Sequence, residues 1–174
     1  MSRIVMKFGG TSVGSIERIK HVAEIIKAEV DSKNQIVVVL SAMAGETDKL
    51  VNLTKELSKE FYPPDYDVVI SSGEQVSVGA LSGLLNSSGI KSQSLLGWQV
   101  PILTDGPYKF SRISKINKKK IINYLKSGGI PIITGFQGLN KESRVTTLGR
   151  GGSDASAIML AKFFNAEKCV IYTD

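Results

Sequence analysis

Four stretches of this chain bring together residue types able to do chemistry, two of them suited to an anion. Lys7-Phe8-Gly9-Gly10-Thr11-Ser12 places a lysine at the end of an apolar run, with two glycines behind it. Glycine lets backbone N–H groups approach an anion, and lysine adds a point charge. A strand–Gly–Gly turn alone fits a structural role equally well, and neither a GxxxxGK[ST] loop nor a GxGxxG fingerprint is present. Gly149-Arg150-Gly151-Gly152-Ser153-Asp154 sets an arginine among glycines ahead of a helical pattern. That is an anion-binding arrangement at a helix N-terminus, although Ser153 or Asp154 also reads as a simple N-cap. Ser72-Gly73-Glu74 puts a glycine inside a helical stretch, where it costs about 1 kcal/mol relative to Ala unless something must approach the backbone. Tyr172-Thr173-Asp174 follows the last apolar run.

Other chemistries are poorly supplied. His21 is the only histidine and falls beside the polar face of a helical pattern, which argues against Ser–His–Asp or Cys–His hydrolysis. A single cysteine, Cys169, forms no intramolecular disulfide and no cysteine-based zinc cage; its apolar strand predicts a core position. Trp98, in a loop after Gly97, is expected to pack. From Gly106 to Lys141 the chain carries eight Lys or Arg and no acidic residue. With Tyr108 and Phe110 the only aromatics over 108–120 and no recognition-helix motif, Lys109, Arg112, Lys115 and Lys118–Lys120 read as a solvated face, not a nucleic-acid surface.

The elements that must position these residues alternate along the chain. Ile4–Phe8, Ile36–Leu40, Ser92–Leu96, Val100–Thr104, Ile130–Thr134 and Cys169–Tyr172 read as strands. Between them come helical patterns: one behind an N-cap at Ser15, one over 47–61 with Leu50, Leu53, Leu57 and Phe61 as its apolar stripe, one long helix over 67–88, and two more over 117–126 and 154–164. Pro63-Pro64 is expected to stop the second helix, and residues 135–152 to form a Gly-rich loop. Strand–helix alternation predicts an α/β fold: a three-layer αβα sandwich around a mainly parallel sheet. Lys7–Ser12, Ser41–Thr47, Gly135–Asp154 and Thr173-Asp174 then fall beyond the carboxyl ends of strands, where open α/β sheets bind ligands. The 174 residues suit one domain, with 42% apolar and 22% charged residues and a net charge of +6. Apolar runs of about five or six residues fall short of the roughly 20 of a membrane helix. The N-terminus lacks a signal-peptide pattern, so a cytoplasmic protein is expected.

Taken together, Lys7-Phe8-Gly9-Gly10-Thr11-Ser12-Val13, Ser41-Ala42-Met43, Ser72-Gly73-Glu74, Gly135-Phe136-Gln137-Gly138, Thr146-Thr147-Leu148-Gly149-Arg150-Gly151-Gly152-Ser153-Asp154 and Tyr172-Thr173-Asp174 resemble, in order and spacing, the aspartate kinases of the amino-acid kinase superfamily. The resemblance implies ATP-dependent phosphorylation of the β-carboxylate of L-aspartate, the first step toward lysine, threonine and methionine and, in bacteria, diaminopimelate. A carboxylate is already a nucleophile at neutral pH, which suits a chain without a candidate base; alignment and charge neutralisation then carry catalysis. By resemblance Lys7 and Asp154 are catalytic, with Asp154 orienting Lys7 near the metal. Lys7, Phe8, Gly9, Gly10, Ser12, Thr173 and Asp174 belong to the ATP site. Arg150 holds the substrate α-carboxylate, Glu74 its ammonium, and Ser41, Thr47, Gly151, Gly152 and Ser153 line the substrate pocket. Mg²⁺ is expected to arrive with the ATP phosphates.

The family's catalytic domains continue past the Tyr-Thr-Asp strand into the rest of the nucleotide site, and ACT regulatory domains usually follow. The resemblance therefore implies that residues 1–174 are the N-terminal portion of an amino-acid kinase catalytic domain, incomplete at the C-terminus, with the ATP site divided and sheet surface exposed. Two other readings stay open: a non-catalytic remnant or interaction subunit, and an amino-acid kinase acting on glutamate or acetylglutamate. A homo-oligomer is compatible with the resemblance; no nucleic-acid or membrane partner is expected.

Overall fold

A computed structural model describes residues 2–173; Asp174, assigned above to the nucleotide site, lies outside them. Five strands form a wholly parallel sheet: β1 (Arg3–Phe8), β2 (Gln35–Leu40), β3 (Ser92–Leu95), β6 (Ile130–Thr134) and β9 (Lys168–Tyr172), in the order β3-β6-β2-β1-β9. The uninterrupted apolar run of β2 and the predominantly apolar, buried residues of β1 and β6 are what a sheet covered on both faces requires. On one face, Ile4, Met6, Phe8, Val38 and Leu40 pack with α1 (Ile16–Asp31) and α4 (Ser72–Ser87). On the other, Val5, Val37, Val39 and Ile133 pack with α5 (Lys119–Lys126) and α6 (Gly152–Phe163). The expected sandwich is therefore present. Ser15 caps α1 as expected, its side chain accepting from Arg18 N–H.

A second sheet was not anticipated. β4 (Ile102–Asp105), β5 (Arg112–Ile116), β7 (Gln137–Leu139) and β8 (Val145–Thr147) pair in the order β5-β4-β7-β8. The strand expected at Val100–Thr104 is β4 and belongs to this second sheet; β5, β7 and β8 are short and rich in polar residues or glycine, so no apolar run marks them, and the expected Gly-rich loop of 135–152 contains the β7–β8 hairpin.

The helical layer also differs. α2 (Glu46–Leu57) ends before the prolines, and Pro63 and Pro64 instead open α3 (Pro63–Ile70), where a missing N–H costs nothing. The single helix expected over 67–88 is two, α3 and α4, meeting at Ser71. Two hydroxyls bond back to carbonyls there, Ser71 Oγ to Val68 and Ser72 Oγ to Val69, and Gln137 Nε2 donates to the Ser71 carbonyl at 2.9 Å. The stretch Pro63–Ser87 is long and apolar enough to cross a membrane by length and composition; half of its most apolar window is buried within the fold. The stripe expected to face inward from α2 is turned out: Leu53 and Leu57 are exposed, because α2 packs on α3 and α4 and not on the sheet. Cys169 and Trp98 are exposed too, against expectation. Cys169 lies on β9, which pairs with β1 alone, and Trp98 sits in the turn before β4.

Candidate active site

Strand alternation decides where Lys7 points. Phe8 faces the α1/α4 layer, so Lys7, one residue away and in step with Val5, faces the α6 layer. The residue is nearly buried, at 7% exposure, and its ammonium meets Asp154 Oδ1 at 2.6 Å. Asp154 occupies the first turn of α6, whose N-cap, Gly151, offers no side chain to the leading amides. The positive end of α6 and Lys7 thus converge, a geometry suited to phosphate or carboxylate.

Glu74 approaches from α4 and is 2% exposed. Its Oε1 accepts the Ala42 N–H at 3.3 Å, and its Oε2 has no hydrogen-bond partner. Burial pushes the Glu74 carboxyl up to about 8, against the smaller lowering effect of backbone hydrogen bonds. A buried carboxyl with one oxygen unpaired can take a cation as partner, which would favour its ionised form. The Gly73 position has a steric reason: a Cβ there would lie 2.8 Å from the Ala42 Cβ. Only glycine lets the loop after β2 close onto α4, which brings the Ala42 amide to Glu74.

One cleft of about 720 Å³ gathers Lys7, Gly10, Ser41, Thr47, Glu74, Arg150, Gly151, Gly152, Ser153 and Asp154. Every residue assigned to the substrate pocket lines it, as do both assigned to catalysis. The nucleotide set divides. Lys7 and Gly10 face the cleft, whereas Phe8, Ser12 and Thr173 border a separate hollow of about 140 Å³ with Arg18 and His21. Phe8 is fully buried and stacks on Tyr172, ring centroids 4.5 Å apart. The Gly9 N–H donates to the Tyr172 carbonyl at 3.2 Å, so in this conformation it is engaged, not open to phosphate.

Residues outside the assigned set also line the cleft: Tyr66, Lys109, Phe110, Phe136 and Thr147. Lys109 was grouped with the solvated basic stretch, and periodicity held nothing to separate it. Asp67 lies behind the cleft wall, fully buried. It accepts the Lys109 N–H on both oxygens at 3.1 and 3.0 Å, the Thr147 N–H at 2.9 Å and the Thr147 hydroxyl at 2.9 Å. The one sequence signal was an acid opening the apolar run Asp67-Val68-Val69-Ile70.

Among the described residues no three His, Cys, Asp or Glu side chains cluster to hold a metal. Asp154 fits a cation carried in on phosphate, and the uncapped α6 N-terminus with Lys7 fits the phosphate itself.

Comparison with known proteins agrees with this fold. Residues 2–174 match the model of the amino acid kinase family. The whole chain aligns with an aspartokinase of Rickettsia felis at 49% identity and with one of Geobacillus stearothermophilus at 49%, covering 44% and 43% of those proteins. The chain thus spans less than half the length of the curated relatives it matches. Among solved structures, aspartate kinase from Synechocystis superposes with a TM-score of 0.84 at 41% identity, over 98% of this chain and 28% of that one. Escherichia coli aspartokinase III, in complex with aspartate and ADP, superposes with a TM-score of 0.87 at 25% identity, over 98% of this chain and 49% of that one. The chain belongs to the amino acid kinase family, and within it resembles the aspartate kinases.

Proposed function

We propose that the cleft binds L-aspartate and presents its β-carboxylate to the γ-phosphoryl group of ATP, giving 4-phospho-L-aspartate. The observation that carries this reading is one cavity holding a buried unpaired carboxylate (Glu74), a rim guanidinium (Arg150) and the Lys7–Asp154 pair at the α6 N-terminus. An amino-dicarboxylate matches that pattern charge for charge. Glu74 takes the ammonium, and Arg150, whose planar fork suits a carboxylate, takes the α-carboxylate. Ser41, Thr47, Gly151, Gly152 and Ser153 shape the walls. Lys7, aimed by Asp154, neutralises charge on the transferring group, while Gly10 and the first turn of α6 hold phosphate oxygens. ATP supplies the phosphoryl group, and Mg²⁺ accompanies its phosphates. The reading places residues 1–174 as the N-terminal portion of an amino-acid kinase catalytic domain in a cytoplasmic biosynthetic enzyme. It requires a small-molecule substrate and neither nucleic acid nor membrane.

A second reading is favoured by the engaged Gly9 amide and the burial of Phe8: a segment that binds aspartate without transferring phosphate. A coupled assay with ATP and aspartate, run beside calorimetry on the same chain, separates the two. Turnover abolished by Lys7→Ala supports the first. Aspartate binding without turnover and without ATP binding supports the second. No aspartate binding by the chain refutes both.

A further inference from the structure

Lys109 has an unusual backbone. Its φ is +69°, in the left-handed region that non-glycine side chains seldom adopt. The surrounding structure holds it there. Asp67 receives its N–H on both carboxylate oxygens, and the neighbouring Tyr66 carries the Lys109 ammonium 4.2 Å above its ring centroid. Main chain and side chain are thus both fixed from α3.

The opposite rim fits against this turn. Gly149, itself at φ +77°, has so little room that a Cβ would lie 3.1 Å from the Lys109 carbonyl and 3.1 Å from the Phe110 ring. The residue after Gly149 is Arg150. The turn bearing Lys109 and the loop bearing Arg150 are therefore packed together, and both side chains line the same cleft. Among the described residues the ion pairs are Lys7–Asp154, Lys49–Glu46 and Arg144–Asp65. Neither Lys109 nor Arg150 has a carboxylate at that distance. Asp67 attracts the Lys109 charge, but its oxygens accept hydrogen bonds from backbone amides and the Thr147 hydroxyl and form no ion pair with the ammonium. Two cations that line one cleft, neither in an ion pair with a carboxylate among the described residues, both offer charge-assisted hydrogen bonds to an anion seated in it.

We propose that Lys109 is a substrate-binding residue that holds one carboxylate of the amino-dicarboxylate together with Arg150, and that Asp67 is the positioning residue that aims it. The inference rests on the reading of the cleft given above. It explains why a strained turn is pinned so firmly at a cleft rim, since strain of this kind persists only where the surroundings impose it.

Calorimetric titration of the 174-residue chain with L-aspartate tests it. Lys109→Gly and Lys109→Asn both tolerate positive φ and keep the N–H that Asp67 accepts, so each isolates the ammonium. Both are expected to weaken aspartate binding about tenfold and to flatten its salt dependence, with the unfolding temperature unchanged or raised. Lys109→Arg is expected to stay within about threefold of the unsubstituted chain. Asp67→Asn is expected to weaken binding in the Lys109 background and to have no further effect on binding in the Lys109→Gly background. Binding within about twofold of the unsubstituted chain in both Lys109→Gly and Lys109→Asn overturns the inference and leaves the function of the cleft standing. Equal effects of Asp67→Asn in the two backgrounds overturn the positioning role. No aspartate binding by the unsubstituted chain overturns the inference and the reading of the cleft together.

Discussion

Lys7, near the end of the first strand, and Asp154, in the first turn of the last helix, form an ion pair of 2.6 Å at the positive end of α6. The lysine is nearly buried and the carboxylate about half exposed, so the pair orients Lys7 more than it stabilises the fold. Lys7→Met is expected to lower turnover about 10²–10³-fold with little change in denaturant midpoint. Asp154→Asn is expected to give a smaller loss, because Lys7 remains but is no longer aimed. Steady-state kinetics beside urea unfolding checks both; an unfolding midpoint that falls in step with activity would contradict the orienting role.

Glu74 gives the site a pH signature. Its carboxyl is raised to about 8 by burial, above its ordinary 4.5. Between those values the unfolded chain has lost the proton and the folded chain keeps it, so stability falls as pH rises through the interval. Glu74→Gln retains an acceptor for the Ala42 N–H and is expected to raise the unfolding temperature, by an increment that grows from about pH 5 to about pH 8. Substrate ammonium requires the ionised form. Aspartate affinity of the unsubstituted chain is therefore expected to climb with pH up to about 8, and Glu74→Gln to abolish both the climb and most of the binding. Thermal scans and calorimetry across that range are the measurement.

Gly73 tests local helix preference against tertiary contact. Alanine is the better helix former by about 1 kcal/mol. The Cβ it adds lies 2.8 Å from the Ala42 Cβ, and overpacking of that kind costs about 1–3 kcal/mol. Gly73→Ala is expected to destabilise the chain and to weaken aspartate binding, since it pushes the 41–45 loop from Glu74. Urea unfolding with parallel titration reads both effects; a stabilised variant would show that propensity wins.

Gln137 joins the two sheets to the helix break, donating to the Ser71 carbonyl at 2.9 Å and accepting from the Gly97 N–H at 3.4 Å. Both partners belong to buried residues. Gln137→Ala is expected to cost about 2–4 kcal/mol, from the unpaired carbonyl and the cavity together. Faster hydrogen exchange is expected at the α3–α4 junction, measured on the native chain.

The sequence by itself determined the parallel sheet, since the apolar runs of β1, β2 and β6 admit only a doubly covered strand. It also determined the segments that carry the site, since glycines, charged residues and strand ends coincide there. Much of the cleft was legible for that reason: Lys7, Glu74, Arg150 and Asp154 belong to short contiguous motifs. Most of the small sheet was not legible: β4 falls on the apolar run Val100–Thr104, but β5, β7 and β8, three to five residues long and rich in polar residues or glycine, leave no periodic signal. The outward turn of Leu53 and Leu57 and the exposure of Cys169 were not legible either, because an apolar residue does not state whether a neighbour covers it. Only the tertiary structure decided which helical layer each takes, Phe8 the α1/α4 side and Lys7 the α6 side. It alone separated Lys109 from the other lysines of its basic stretch. Asp67, Lys109 and Gly149 are far apart along the chain, and contacts at that separation are set by how helices and sheets pack, which no local pattern records.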